Sequence, residues 1–201
     1  MRLLTDYQAV FQHYLDENAF SDEPQELYDP ANYILSIGGK RLRPLLVLMG
    51  CELFSKDIQR ALPIAMAVEV FHNFTLLHDD IMDDAPLRRG QPTVHVKYNI
   101  NTGILSGDVM LILAYDFLRN TEGSTATTHK LWAIFNKMAR EVCDGQQLDM
   151  NFESRNDVTL TEYMRMIELK TSVLIAAAFE MGAVAGGASL KQAFPLYEFA
   201  L

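Results

Sequence analysis

Apolar residues recur at helical spacing along almost the whole chain. The spacing is three or four positions at Leu45, Leu48, Met49 and Leu53, and it returns over residues 163–174. Such a period is typical of amphipathic helices, and no stretch shows the apolar–polar alternation of a half-buried strand. The pattern predicts an all-α fold in which long helices pack side by side as a large bundle, with ligand sites between facing helices.

Polar and turn-forming residues indicate where the helices begin and end. Asp29 before Pro30 predicts the start of a short helix, and Thr159–Glu162 has the form of a capping box before a long helical run. Breaks are expected at residues 38–39, 55–57, 86–92, 121–124 and 155–156. One helix is therefore predicted over residues 57–84. At about 1.5 Å per residue it is on the order of 40 Å long, and Pro63 in its first two turns predicts a kink.

The composition fits one domain without a nucleic-acid partner. The chain has 201 residues, 49% of them apolar, which is enough to bury one sizeable core, and no Pro-, Gly- or Ser-rich stretch divides it. We therefore expect residues 1–201 to form a single domain. The formal net charge is −9, from 26 acidic and 17 basic residues, and this disfavours binding to nucleic acid.

The two cysteines and the apolar runs indicate a cytoplasmic protein. Cys51 and Cys143 lie far apart in apolar helical contexts and match no metal or redox spacing, so we expect reduced thiols in the core. The first residues meet charge too early for a signal peptide. The nearest candidate for a membrane span, residues 173–188, is short and contains Glu180, so no stable membrane insertion is expected.

An acidic cluster, Asp79-Asp80-Ile81-Met82-Asp83-Asp84, stands where the long helix should end before Pro86. A charge run of this kind is usually a solvated helix end. Here the four carboxylates lie at the negative end of the helix macrodipole, which is unfavourable by a few tenths to about 1 kcal/mol each. At about 100° per residue, Asp79 and Asp83 project within roughly 40° of each other, and His72 falls between them. Carboxylates on an otherwise apolar face need partners, and cations would supply them.

The composition of this cluster is suited to magnesium. Hard oxygen ligands without a nearby cysteine favour Mg²⁺ or Mn²⁺ over zinc, and Mg²⁺ commonly completes its octahedron with waters and substrate phosphate oxygens. Two basic segments agree with a phosphorylated ligand. Arg88 and Arg89 follow the cluster, and Gly38-Gly39-Lys40-Arg41-Leu42-Arg43-Pro44 carries three cations at another helix start. The spacing of this loop differs from that of a Walker loop, and taken alone it is typical of a solvated loop.

Three motifs in this order resemble the trans-isoprenyl diphosphate synthases, the polyprenyl synthetases that include farnesyl and geranylgeranyl diphosphate synthase. They are the Gly38–Pro44 loop, the segment Leu76–Asp83 with Arg88-Arg89-Gly90 after it, and Lys170-Thr171 in a later helix. The resemblance implies a large antiparallel helix bundle of the isoprenoid synthase type with a central apolar cavity. It also implies a homodimer that joins isopentenyl diphosphate to an allylic prenyl diphosphate by magnesium-assisted ionisation to a carbocation.

The resemblance assigns roles to individual residues. It implies that Asp79 and Asp83 bind magnesium, with Asp80 and Asp84 as accessory carboxylates. It places the allylic diphosphate at Arg88, Lys170 and Thr171, and isopentenyl diphosphate at Lys40, Arg43, His72 and Arg89. The residues expected to act most directly in catalysis are Asp79, Asp83, Arg88 and Lys170. The run Gly145–Asp149 is also similar to a cavity-facing helix of the family, without defined roles.

The resemblance implies that product length depends on Phe74 and Thr75, the fifth and fourth residues before the first aspartate. An aromatic followed by a small residue, with no insertion in the aspartate motif, resembles geranylgeranyl-type enzymes more than farnesyl-type ones. On an idealised helix Thr75 lies on the stripe of Asp79, whereas Phe74 lies well off it. A core phenylalanine without a role in product length is the more common case for any single Phe.

One feature of the family is missing. A second aspartate-rich motif is expected after Lys170-Thr171, but only the acids Glu180 and Glu198 follow, and there is no aspartate. We therefore expect a chain truncated before that motif, which by itself binds diphosphates weakly without turnover. Two alternatives stay open. One is a noncatalytic prenyl-diphosphate-binding subunit of a heteromeric synthase, and the other is a metal-dependent phosphohydrolase that uses His78-Asp79 as a ligand pair.

Overall fold

A computed structural model describes residues 2–201, and the fold is built from helices. They are α1 (Leu4–Glu17), α2 (Gln25–Ser36), α3 (Leu42–Glu52), α4 (Leu62–Met82), α5 (Val94–Lys97), α6 (Ile100–Arg119), α7 (Thr125–Glu153), α8 (Leu160–Ile167), α9 (Val173–Ala185) and α10 (Leu190–Ala200). A 3₁₀ turn, Gln59–Ala61, precedes α4, and a π-helical turn, Glu168–Ser172, joins α8 to α9. In the part of the chain so described, the strands are only β1 (Leu87–Arg88) and β2 (Gln91–Pro92), which pair antiparallel. The predicted all-α fold is confirmed.

The core is organised around α4 and α9, both of which are buried on nearly all sides over much of their length. Every residue of α9 except Ile175 is buried, as expected for a helix that is apolar all round and enclosed by others. α4 packs most extensively on α6, and α3 on α9. The backbones of α3 and α9 approach closely at Gly50 and Gly182. A Cβ on Gly182 would overlap the carbonyl group of Val47, so this approach requires a glycine.

The predicted helix over residues 57–84 is shorter than expected. It begins with the 3₁₀ turn and becomes α-helical at Leu62, so that Pro63 lies at the start of α4. A proline in the first turn costs nothing in hydrogen bonding, since its missing N–H would have no partner there, and the predicted kink within the helix was therefore wrong.

The helix start at Asp29 was also wrong. α2 begins at Gln25, with Pro24 as its N-cap, and Pro30 lies inside the helix with its ring buried. A proline at this position removes one backbone donor and so favours ending the helix. The helix continues because burial of its apolar face outweighs that local preference. The capping box at Thr159–Glu162 is confirmed, because the Thr159 hydroxyl accepts from the Glu162 amide and the Glu162 side chain accepts from the Thr159 amide.

The prediction for the cysteines was right for one of them. Cys51 is buried and Cys143 is exposed, and neither forms a disulfide within residues 2–201. Cys143 follows the buried Val142 on α7, and its thiol lines a cavity instead of lying in the packed core. Over the same described residues, no helix combines the length and apolar character needed to cross a bilayer.

Candidate active site

The acidic cluster lies at the carboxyl end of α4, as predicted. α4 ends at Met82, with Asp83 as its C-cap, and Asp84 adopts a left-handed conformation with φ of 48°. Asp79 is partly buried, whereas Asp83 is exposed and, within residues 2–201, forms no ion pair. Partial desolvation and the nearby Asp79 carboxylate raise the pKa of Asp83. The Asp83 carboxylate is therefore under-compensated in the chain alone.

A short hairpin after α4 carries the two arginines. Its turn residues Arg89 and Gly90 both have positive φ, 54° and 79°, which is typical of the type I′ turn of a two-residue hairpin. The Arg88 guanidinium binds Asp80 at two points and lies 4.0 Å from an Asp79 oxygen. The hydrogen bonds to Asp80 raise the pKa of Arg88, so this guanidinium stays charged beside the cluster.

The π-helical turn brings Lys170 to the same carboxylates. Lys170 Nζ lies 2.5 Å from Asp149 Oδ2 and 3.3 Å from Asp79 Oδ1. Burial lowers the pKa of Lys170, but the two carboxylates outweigh it and the net shift is upward. Asp149 was not among the predicted site residues. The only signal for it in the sequence was its place in the Gly145–Asp149 run.

A glycine on α7 permits this arrangement. A Cβ on Gly145 would overlap the backbone nitrogen of Lys170, so α7 and the π-helical turn approach through backbone atoms alone. Single π turns inside α-helices occur often at functional sites, because the extra residue alters the direction of the side chains that follow. Lys170 and Thr171 both lie in this turn, and both line the same cavity.

A second cationic group lies at the start of α3. Arg43 Nη1 is 3.1 Å from His72 Nε2, and Arg43 Nε is buried without a hydrogen-bond partner in the described part of the chain. Burial and the charges of Arg43 and Arg89 lower the pKa of His72 to about 3, so the ring is neutral and accepts from Arg43. The Arg89 guanidinium packs on Gly39, where a Cβ would come within 2.5 Å of Nη1. The two basic segments thus meet in space.

One cavity connects these groups. It has a volume of about 290 Å³ and is bounded by α3, α4, α7, the π-helical turn and α9. Its lining is polar at Arg43, His72, Asp79, Lys170 and Thr171, and it includes the apolar residues Phe74, Leu76, Val142 and Leu174. The wall therefore combines charged groups suited to a diphosphate with apolar surface suited to a hydrocarbon chain.

Phe74 lies on the cavity wall beside Thr75, contrary to its position on an idealised helix. Its ring is packed edge-on against His78, with centroids 4.8 Å apart, and is tilted by 55° relative to Phe71, with centroids 5.6 Å apart. His78 Nε2 lies 3.1 Å from the Ile104 carbonyl oxygen on α6. His78 is thus held by α6 and Phe74, a geometry that argues against its pairing with Asp79 as a metal ligand.

Residues 24–201 match the sequence model of the polyprenyl synthetase family. The chain belongs to this family. The polyprenyl synthetase match covers the loop at residues 38–44, the aspartate cluster and Lys170-Thr171, so the resemblance seen in the motifs is confirmed.

Relatives and solved structures agree with this assignment. A geranylgeranyl diphosphate synthase of Methanosarcina mazei is 44% identical over 185 residues, 92% of this chain and 57% of that protein. A crystal structure of a geranylgeranyl pyrophosphate synthase superposes with a TM-score of 0.96 at 48% identity, covering all of this chain and 61% of the other. One from Pyrococcus horikoshii has a TM-score of 0.92 at 33% identity, covering 98% and 60%. The bundle is thus of the isoprenoid synthase type, and this polyprenyl synthetase chain spans about three-fifths of the length of these relatives.

The carboxylates of this polyprenyl synthetase chain fit magnesium, which also takes waters and phosphates as ligands, better than a metal whose ligands all come from the protein. Asp79 and Asp83 offer oxygen donors one helical turn apart, and within residues 2–201 no three His, Cys, Asp or Glu side chains converge as a complete ligand set. Mg²⁺ is commonly bound by one or two carboxylates together with waters and substrate phosphates. The under-compensated charge of Asp83 is consistent with such a cation.

The predicted residues of this polyprenyl synthetase site fall into three groups. Seven line the cavity, namely Arg43, His72, Phe74, Thr75, Asp79, Lys170 and Thr171. Arg88 and Arg89 lie beside it on the hairpin, in contact with Asp80 and Gly39. Lys40 and Asp83 are exposed and do not belong to the lining. The individual roles given to all of these residues stay predictions.

Proposed function

We propose that the protein is a prenyltransferase that joins isopentenyl diphosphate to an allylic prenyl diphosphate and forms a longer all-trans prenyl diphosphate. One observation carries this proposal. Asp79, Lys170 and Thr171 line the same cavity as Phe74, Val142 and Leu174, so groups for a diphosphate and for a hydrocarbon tail share one space. The names of the relatives agree with this chemistry.

The allylic diphosphate is assigned to the Asp79 side of the cavity. Lys170 and Thr171 line the wall there, and Arg88 lies 4.0 Å from Asp79. Magnesium held by Asp79 and Asp83 would supply positive charge to the leaving diphosphate, with manganese as a substitute. Lys170 and Arg88 hold the diphosphate oxygens and balance the charge that develops as the allylic carbon–oxygen bond breaks. No protein nucleophile is needed.

Isopentenyl diphosphate is assigned to Lys40, Arg43, His72 and Arg89. The pKa of about 3 keeps His72 neutral, so it orients Arg43 without adding charge, and the Arg43 guanidinium lines the cavity where a phosphate oxygen would bind. The double bond attacks the allylic cation and forms the new carbon–carbon bond. A proton then leaves to the released diphosphate, which yields an allylic product five carbons longer than the primer. The apolar wall protects the cation by excluding water.

We propose geranylgeranyl diphosphate as the favoured product, with farnesyl diphosphate next. The support comes from Phe74 and Thr75, which stand side by side on the cavity wall five and four residues before Asp79. At about 1.5 Å per residue these side chains start some 6–8 Å along α4 from the diphosphate end. Relatives named geranylgeranyl diphosphate synthase agree with this choice.

We expect residues 1–201 to act as one domain of a cytoplasmic homodimer. The helix α6 supports the dimer, because it exposes Leu105 and Ile112 two turns apart on one face, with 59% and 61% of their surface accessible. Large apolar side chains grouped on one face commonly mark a protein interface.

A noncatalytic binding subunit is the second candidate. Such a subunit would keep the fold and bind prenyl diphosphates without the complete set of acidic motifs. The intact first motif with both arginines favours the enzyme. In either case we expect the 201-residue polypeptide by itself to bind diphosphates weakly without turnover.

The test uses the protein translated from its whole coding sequence. It is supplied with labelled isopentenyl diphosphate, with each allylic diphosphate in turn and with magnesium, and product length is measured. We expect a labelled prenyl diphosphate that disappears when the metal is chelated and in Asp79→Asn. Tight binding of prenyl diphosphates without chain growth would favour the noncatalytic subunit. Release of inorganic phosphate from nucleotides would favour a phosphohydrolase.

A further inference from the structure

A buried ion pair lies beneath the loop that carries Lys40 and Arg43. Arg41 stands between these two cations in the sequence, yet its guanidinium enters the core and pairs with Glu69 of α4. Only 10% of the Arg41 side chain and 4% of the Glu69 side chain are exposed. The same guanidinium also donates to the carbonyl oxygen of Leu35 near the end of α2. Arg41 therefore links the loop to two helices and is not available to a ligand.

The Glu69 carboxylate is itself held from a second side. Asn73, one turn later on α4, donates from Nδ2 to Glu69 Oε1 at 3.0 Å and to the Glu69 carbonyl oxygen at 2.8 Å. Both residues are buried, and His72 lies between them in the sequence. A buried charge held by two donors has a defined position, so Glu69 is a rigid anchor for Arg41.

The backbone of the loop requires such an anchor. Gly38, Gly39 and Arg41 all have positive φ, at 79°, 143° and 50°. The left-handed region is unfavourable for a residue with a Cβ, by roughly 1–2 kcal/mol. Arg41 is also the N-cap of α3, and its side chain makes no capping hydrogen bond. The contacts of its guanidinium are thus what offsets the cost of this conformation.

We propose that Arg41 and Glu69 are positioning residues for the isopentenyl diphosphate site, an inference that rests on the proposed function. Their pair sets the path of the loop and so places Lys40 and Arg43 beside His72. Glu69 is also an anion near Arg43 and Arg89, and its charge acts to raise the pKa of both against the lowering effect of burial. By charge alone, removing Glu69 would strengthen the binding of an anion. If Glu69 instead acts by positioning the loop, its removal should weaken the binding of an anion.

The decisive variant is Glu69→Gln, which keeps the shape and removes the charge. Binding of inorganic pyrophosphate is measured by calorimetry without Mg²⁺, which leaves out the magnesium-dependent site at Asp79 and Asp83, and we expect the Kd to rise about tenfold, as for loss of one hydrogen bond to a charged group. Glu180→Gln is the matched control, because Glu180 is another buried glutamate and makes no ion pair within residues 2–201. Its Kd should stay within about twofold of wild type. An equal or lower Kd for Glu69→Gln would overturn the proposal.

A double variant separates positioning from stability. Arg41→Met with Glu69→Met replaces the buried pair by apolar side chains, a change that is often neutral or stabilising for folding. We expect a thermal midpoint near that of wild type together with a Kd that is still raised. A double variant that binds pyrophosphate as well as wild type would show that the pair acts only on stability and would overturn the proposal.

Hydrogen exchange tests the anchor without any ligand. We expect the amides of residues 38–43 to exchange faster in Glu69→Gln than in Glu180→Gln, while those of α4 stay protected. Unchanged exchange in the loop would contradict the positioning role. A wild-type chain that fails to bind pyrophosphate would count against the proposed function, and the exchange result would still decide whether Glu69 anchors the loop.

Discussion

The Arg88 guanidinium binds the Asp80 carboxylate at two points, with both nitrogen–oxygen distances at 2.7 Å. Asp80 is 3% exposed, so this pair joins the hairpin to α4 and compensates the Asp80 charge inside the protein. Lys170 contacts Asp79, and the exposed Asp83 lacks an ion pair within residues 2–201. The carboxylates of one cluster therefore differ in their surroundings, since Asp80 is held in a buried ion pair, Asp79 lines the cavity and Asp83 is exposed.

Replacing Arg88 by lysine should destabilise the protein. Lysine cannot form the two parallel hydrogen bonds of a guanidinium, so Asp80 keeps a weaker partner in a buried position. We expect a loss of about 1–2 kcal/mol in the free energy of unfolding, measured with urea. Arg119→Lys, in the exposed pair with Asp116, should change it by less than about 0.5 kcal/mol. Equal effects of the two substitutions would contradict the structural role of Asp80.

The pH dependence of stability should report on His72. Burial and the neighbouring arginines lower its pKa to about 3, whereas the unfolded chain binds a proton near the ordinary pKa of about 6.5. Between these values acid favours the unfolded state, so stability is lost as the pH falls below about 6.5. From pH 7 to pH 5 this residue should account for about 2 kcal/mol.

His72→Gln is the variant that removes this contribution. Its stability should fall less between pH 7 and pH 5 than that of wild type, as measured by urea unfolding at each pH. His13→Gln serves as the control, since the His13 side chain is 75% exposed, and it should keep the wild-type slope. If the free energy of unfolding of His72→Gln depends on pH as steeply as that of wild type, the His72 ring is not held neutral.

The sequence predicts those parts of the candidate site whose residues lie close together along the chain, within one helix or the loop beside it. The acidic cluster, the two arginines after it and the cationic helix start all follow from composition and spacing along a few turns. The π-helical turn does not, because it depends on Gly145 letting α7 approach the backbone of Lys170. The inward orientation of Arg41 is equally hidden, since its partner Glu69 is 28 positions away. Contacts between helices decide these features.

Phe74→Ala should lengthen the products of the proposed prenyltransferase. Phe74 and Cys143 line both the active-site cavity and a groove that contains Leu111 and Tyr115 on α6, so the Phe74 ring helps to separate the two spaces. Without it the hydrocarbon tail gains room beyond the present wall. Product length is measured by chromatography with the protein translated from its whole coding sequence. Thr75→Val, a change to a side chain of similar size, should leave product length unchanged. An unchanged product length in Phe74→Ala would show that the Phe74 ring does not limit it.

The apolar face of α6 should mediate dimer formation. Ile112→Glu places a charge on the exposed Ile112–Leu105 face, and we expect the variant to sediment as a monomer with an unchanged helical content. Leu160→Glu changes a leucine at the start of α8 that is 76% exposed, and this variant should remain dimeric. A wild-type chain that is monomeric at micromolar concentration, or a dimeric Ile112→Glu, would exclude this face.

Gly145→Ala should separate α7 from the π-helical turn. The added methyl group would overlap the backbone of Leu169 and Lys170, and backbone atoms cannot move aside as a flexible side chain does. We expect a loss of about 1–3 kcal/mol in the free energy of unfolding, as is usual for overpacking in a core. The contact of Lys170 with Asp149 should weaken as well, so magnesium-dependent binding of pyrophosphate should fall.

Asp144→Ala is the control for this substitution, since it changes the neighbouring exposed residue of α7 and raises helix propensity in the same turn. It should preserve both stability and pyrophosphate binding. The two effects of Gly145→Ala can be separated by Lys170→Met, which removes the ammonium group without moving the helices. If Gly145→Ala lowers stability but binds pyrophosphate as tightly as wild type, the π-helical turn is a packing feature only. If both Gly145→Ala and Lys170→Met weaken binding, the close approach at Gly145 is what brings Lys170 to the carboxylates.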